Sequence, residues 1–125
     1  KWITPYDISP AEEIENLIEI KEIILSDKTK KIIITDYQIF PSILKLKNIA
    51  PNKWFDPLSV PSRDNKYFNT YKNFFIESLK RQKIKTLFVT KNKERYLKNM
   101  FNNDCYVKVN INKNLSKFII EKCIY

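Results

Sequence analysis

The 125-residue sequence contains no glycine and no histidine. Without glycine there is no Walker A loop, no dinucleotide fingerprint, no kinase-type phosphate loop and no glycine-flanked nucleophile elbow. Without histidine, Ser-His and Cys-His catalysis, zinc hydrolysis and imidazole acid–base chemistry are excluded within this chain. Long apolar runs are missing too. The longest is three residues, Ile32–Ile34 and others like it, so no stretch here crosses a bilayer.

What is present is material for one ordinary domain. Hydrophobic residues make up 43% and aromatics 14%, enough to bury a core and to exclude a disordered chain. Lysine, isoleucine and asparagine number 20, 19 and 13. Their codons are AT-rich, so part of the net charge of +9 reads as compositional bias. The charge is still lopsided: residues 1–62 carry 8 basic and 9 acidic side chains, residues 63–125 carry 15 and 5. A basic half favours anionic surfaces. Arginine, however, is scarce at three residues, and the lysines are spread over every element. Nucleic acid is therefore not the expected partner, although a small basic domain that binds nucleic acid or another polyanion is the alternative function. The chain starts at Lys1 and its single methionine is Met100, as expected of a piece of a longer protein.

Residues 1–9 read as an entry segment in which Trp2 and Tyr6 suit either a membrane interface or a strap over the core. A single α/β domain is expected over 10–125. Ser9-Pro10-Ala11-Glu12 combines an N-cap serine, proline at the first helical position and a capping-box glutamate. Ile14, Leu17, Ile18, Ile24 and Leu25 then continue at helical spacing to about Ser26. Lys31–Thr35 is a short β-branched run that fits a strand covered on both faces. A short helix over Ile39–Leu44 and a long proline-containing loop over 48–64 follow. A second long helix is expected from about Lys66 to Gln82 with Asn65 as its cap, then a strand over Ile84–Thr90. Asn92 would cap a third helix through Phe101, and Cys105–Ile111 alternates as a strand. The tail from Leu115 fits helix or strand; the strand, paired back as an edge hairpin, is preferred. The order predicts a three-layer α/β domain with a small, mostly parallel sheet and a C-terminal antiparallel edge hairpin.

If that hairpin turns at Asn114, paired positions sum to 228 and Cys105 faces Cys123. Non-hydrogen-bonded neighbours on antiparallel strands have the spacing a disulfide needs. A bridge would stabilise the fold by roughly 3 kcal/mol and imply an oxidising compartment. Two separate buried thiols are the alternative. No metal or cofactor is expected: two cysteines without histidine do not make a zinc site, and Asp56, Asp64, Glu94 and Asp104 lack metal-ligand spacing.

Ligands of open α/β sheets bind beyond the carboxyl ends of strands, where Asp36, Tyr37 and Gln38 follow the first strand. Asp36 would serve as a base, a metal ligand or an acceptor of hydrogen bonds from a hydroxylated ligand, or merely cap the next helix. The loop adds Trp54, Arg63, Lys66 and Tyr67, a mixture of aromatic faces and charge suited to carbohydrate or phosphate. The competing possibility is a lid that buries Trp54 and Phe55. Asp36, Tyr37 and part of 52–67 are expected to share one cleft.

The run Ile34–Gln38, with Asn52-Lys-Trp-Phe-Asp-Pro57, Asn65-Lys-Tyr-Phe68 and Tyr71-Lys-Asn-Phe-Phe75, resembles the C-terminal soluble segment of multi-spanning bacterial membrane proteins. These are similar to lipid-linked-sugar glycosyltransferases of the protein mannosyltransferase group. In that family the catalytic acids lie in the membrane domain, so no catalytic residue carries over. The resemblance implies a non-catalytic accessory domain that faces the periplasm or extracellular side. Its partner would be its own membrane domain upstream of Lys1, and it would position a sugar, acceptor or lipid-phosphate group.

Overall fold

The computed structural model describes residues 8–36, 42, 44–45, 50–52 and 54–124. Trp2, Tyr6, Tyr37, Gln38 and most of the expected 39–44 helix lie outside the described residues. Helix α1 spans Pro10–Ser26, strand β1 Lys31–Ile34, helix α2 Phe68–Arg81 and strand β2 Thr86–Thr90. A 3₁₀ turn over Lys91–Lys93 leads into helix α3, Glu94–Met100; strands β3, Val107–Asn110, and β4, Leu115–Ile119, precede the single-turn helix α4, Glu121–Ile124.

Local chemistry explains most of these boundaries. At the start of α1 the Ser9 hydroxyl accepts the Glu12 N–H at 3.2 Å, and Pro10 occupies the first turn where no amide donor is needed. Strands β1 and β2 pair in parallel, Lys31 with Thr86 through Ile34 with Val89. Both are unbroken apolar runs because both faces are covered. Ile33 and Phe88 meet Ile20 and Ile24 of α1, while Ile32, Ile34, Leu87 and Val89 join the cluster of Phe75, Leu79, Leu97 and Met100 on the other face. The domain is thus α/β, with helices on both sides of a four-stranded sheet.

The sheet corrects the expected parallel arrangement. Its order is β1-β2-β4-β3, with one parallel and two antiparallel pairs. The hairpin does sit at the end of the sheet, but β4 rather than β3 adds to β2. The apolar content decides this: Leu115 and Phe118 of β4 are fully buried, whereas Val107 and Val109 of β3 stay exposed. A short connection joins only antiparallel neighbours, so the pair enters as a unit.

The hairpin register also differs. Val107 faces Ile119 and Val109 faces Lys117, so paired positions sum to 226. Asn112 sets this turn, because its side-chain oxygen accepts the N–H groups of both Asn114 and Leu115 at 2.9 and 2.8 Å. A shift of two preserves which face each side chain occupies. Two expected caps are also absent. Asn92 lies in the 3₁₀ turn, and α3 begins at Glu94 without a side-chain cap. Asn65 instead accepts the Tyr67 N–H at 2.9 Å in the turn before α2.

Having no glycine, the chain ends α2 on a lysine. Lys83 has φ 55°, the left-handed position that closes a helix, and Ile84 N–H returns to the Leu79 carbonyl at 3.0 Å. A side chain is strained there. Lys83→Gly is expected to raise stability by about 1 kcal/mol, read as a higher urea midpoint at unchanged slope; an unchanged or lower midpoint would contradict the strain.

Candidate functional site

The aromatic-rich loop does not float over the sheet. Phe55 is buried at 2% exposure, its ring 6.3 Å edge-on from Phe75 and 6.4 Å from Tyr96. Directly after it, the Asp56 carboxylate accepts the N–H groups of Leu58 and Ser59 at 2.9 and 2.8 Å. Those bonds, the Ser59 N–H above all, hold Asp56 below the usual carboxylate range. Arg63 then donates to the Asn99 and Lys98 carbonyls at the carboxyl end of α3, at 3.2 and 2.8 Å. It satisfies helix-end acceptors, so its guanidinium serves the scaffold. Pinned at both ends, the loop walls a groove of about 690 Å³ against α2 and α3.

Three tyrosines shape that groove. Tyr67 at its mouth is largely exposed, with the Lys66 ammonium 4.8 Å from its ring centre. Tyr71, one turn further along α2, places its hydroxyl where solvent does not reach and no protein group pairs with it. Burial pushes the pKa of that hydroxyl well above the ordinary tyrosine value. Tyr96 is buried, and its hydroxyl accepts from Arg95 at 3.0 Å while the guanidinium lies 4.9 Å from the ring centre. Pro57, Leu58, Val60, Pro61, Ser62, Asn65 and Asn99 complete the lining. The groove is mainly aromatic and apolar, with a few fixed donors, the usual composition of a small-ligand site.

Of the side chains expected to bind, Tyr67 lines this groove and Lys66 flanks it through the Tyr67 ring. Trp54 is half exposed at the start of the loop. Asp36 is not part of the lining. It sits on the bend after β1, where Lys93 reaches it at 2.7 Å and Asn92 at 3.1 Å. Lys93 is itself 5.7 Å from the Tyr96 ring centre, so Asp36 stands behind the groove wall and ties the carboxyl ends of β1 and β2 together. Tyr37 and Gln38 lie outside the described residues. Tyr71, Tyr96, Arg95 and Asn99 were not expected. The available signal was spacing: Tyr67 and Tyr71, and Arg95 and Asn99, each stand four apart on a helix or its edge.

The other concentrated charge is structural. Glu94, a buried carboxylate, is met by Lys108 at 2.8 Å, Lys98 at 3.3 Å, Lys91 at 3.6 Å and the Ser116 hydroxyl at 2.6 Å. Burial pushes its carboxyl up, but the Lys108 and Ser116 hydrogen bonds outweigh that and hold it at about 2. Cys105 and Cys123 form a disulfide with Cα atoms 4.7 Å apart. It is not the expected cross-strand pair, since Cys105 lies in the turn before β3 and Cys123 in α4. The helical turn shortens the rise per residue and brings Cys123 back level with Cys105.

Among the described residues, no group of three or more acids, cysteines or histidines could hold a metal ion, and no helix is long and apolar enough to cross a membrane. No family model matches the chain, and no curated protein or solved structure is significantly similar to it.

Proposed function

We propose that this chain is a non-catalytic accessory domain that binds a sugar in the groove between the 57–67 segment, α2 and α3, as part of a membrane-bound glycosyltransferase-like protein. The observation that carries this is the Tyr71 hydroxyl, a buried donor without a partner on a side chain that lines an aromatic groove and that an entering ligand must uncover. An unmade hydrogen bond costs roughly 1–3 kcal/mol, and a ligand hydroxyl recovers it. The raised pKa keeps Tyr71 protonated, so it acts as a donor and not as a base. Tyr67 offers a ring face for the apolar side of a pyranose. The volume of about 690 Å³ accommodates a short saccharide. A Cys105–Cys123 bridge supports work on the periplasmic or extracellular side, where disulfides persist.

The test is titration with methyl α-mannoside, mannobiose and chitobiose, followed by tyrosine fluorescence and NMR. Tyr71→Phe is expected to weaken the best saccharide about tenfold, one hydrogen bond's worth. The same substitution should leave the unliganded fold equally stable or slightly more stable, since the hydroxyl it removes has no partner there. If no saccharide perturbs the 57–67 segment, or if Tyr71→Phe binds as tightly as the parent, the sugar assignment fails.

A second reading is favoured by one feature, the cavity of about 320 Å³ at the amino ends of β1 and β2, whose lining includes Lys30, Lys83, Lys85 and Lys117 together with Glu121, which pairs with Lys85. It corresponds to polyanion binding. Submicromolar, steeply salt-dependent binding of single-stranded DNA or heparin would select it.

A further inference from the structure

The geometry points to a second binding site, for an organic anion carrying a hydrocarbon tail, in a separate cavity at the carboxyl end of β2. This cavity, about 310 Å³, lies between α1 and the β3–β4 turn and shares no lining residue with the groove. One wall is apolar and consists of Ile8, Leu17 and Ile20; another presents Lys91, Lys113 and Asn114. Among the described residues, no carboxylate lines it.

Asn114 supplies the specific donor. Its carbonyl accepts the Lys91 N–H at 2.9 Å, and its own N–H goes to the Asn112 side chain at 2.9 Å. Both backbone groups are therefore engaged and the residue is fixed. Its side-chain nitrogen is buried and has no partner. Two lysines flank it, each already paired with a carboxylate. Lys91 donates to Asn110 at 2.6 Å and stands 3.6 Å from Glu94, a carboxylate already shared with Lys98 and Lys108. Lys113 meets Glu12 at 3.1 Å in an exposed pair that solvent weakens. An anionic head on Asn114 would engage the unmet donor and gain charge assistance from the lysines. Leu17 and Ile20 then call for an apolar body behind that head, since water gains nothing against them. The position agrees with the carboxyl ends of the parallel pair β1–β2, where open α/β sheets hold ligands.

A fatty carboxylate and an alkyl phosphate share this chemistry. The experiment titrates the ¹⁵N-labelled chain with decanoate, decyl phosphate, decanol and inorganic phosphate, each below any micelle-forming concentration. The expected result is movement of the Leu17, Lys91, Asn114 and Leu115 amides, with at least one amphiphilic anion binding about tenfold more tightly than either decanol or phosphate. The better of the two anions identifies the source of the head group. Asn114→Asp is expected to weaken the anion about tenfold and leave decanol unchanged. Lys113→Glu, at an exposed position, is expected to weaken it severalfold with the fold intact, which covers the case in which Asn114→Asp disturbs the turn. Decanol binding as tightly as both anions, absent shifts at these amides, or unchanged anion affinity in Lys113→Glu and in a folded Asn114→Asp would each overturn the site. None of these outcomes depends on saccharide binding at Tyr71.

Discussion

Phe55→Ala is expected to lower the stability of the domain by about 4 kcal/mol, within the range for removing a buried phenylalanine. The ring is 2% exposed and meets both Phe75 of α2 and Tyr96 of α3. Its loss leaves a cavity among rings that cannot collapse, because Phe75 is also held against Tyr71 and Phe101. A second consequence follows from position. Asp56 nucleates the turn that forms the groove wall, and Phe55 anchors that turn to the core. Saccharide affinity should therefore fall in Phe55→Ala, even though Phe55 does not line the groove. Leu58→Ser is the control, since Leu58 is 98% exposed and should change stability by no more than about 0.5 kcal/mol. Urea unfolding of both variants is the measurement. A loss below about 1 kcal/mol for Phe55→Ala would mean that the loop is not pinned as described.

Replacing Cys105 and Cys123 together by alanine is expected to cost about 3 kcal/mol in the chain-entropy description of an 18-residue separation. For a domain of this size that corresponds to a fall of roughly 10 °C in Tm. The loss should be felt first in β3. This strand pairs only with β4, exposes Val107 and Val109, and owes its position to the bridge on one side and the Asn112 turn on the other. Hydrogen exchange in the double variant should therefore accelerate at Val107–Asn110 before it does at Thr86–Thr90, which lie between two paired strands. Thermal unfolding with and without reductant gives the first reading and exchange mass spectrometry the second. A Tm unchanged by reduction would mean that the two thiols are not joined in the folded protein, and would remove the support the bridge lends to an oxidising location.

Local chemistry was legible wherever a short stretch settles its own structure. Ser9-Pro10 starts α1 because a hydroxyl and an imide ring satisfy a helix end without outside help. The runs at Ile32–Ile34 and Leu87–Val89 announced strands covered on both faces, and their parallel pairing follows from the helical crossover between them. Alternation in β3 and β4 established which residues share a face, and this survived the two-position change in register because the side-chain period is two. What depended on the whole chain was different in kind. Whether β3 or β4 would join β2 turned on a comparison of burial across the sheet. Cys123 reached Cys105 through a terminal helical turn that no pattern in five residues announces. Of the loop side chains expected to bind, Tyr67 lines the groove, but Arg63 was drawn to the end of α3, whose carbonyls lacked partners, and Asp36 to Lys93. Tyr71 and Asn114 looked like ordinary helix and turn residues. Each became a candidate binding group only when packing closed around a polar atom and left it without a partner, a property of the assembled interior and not of any segment.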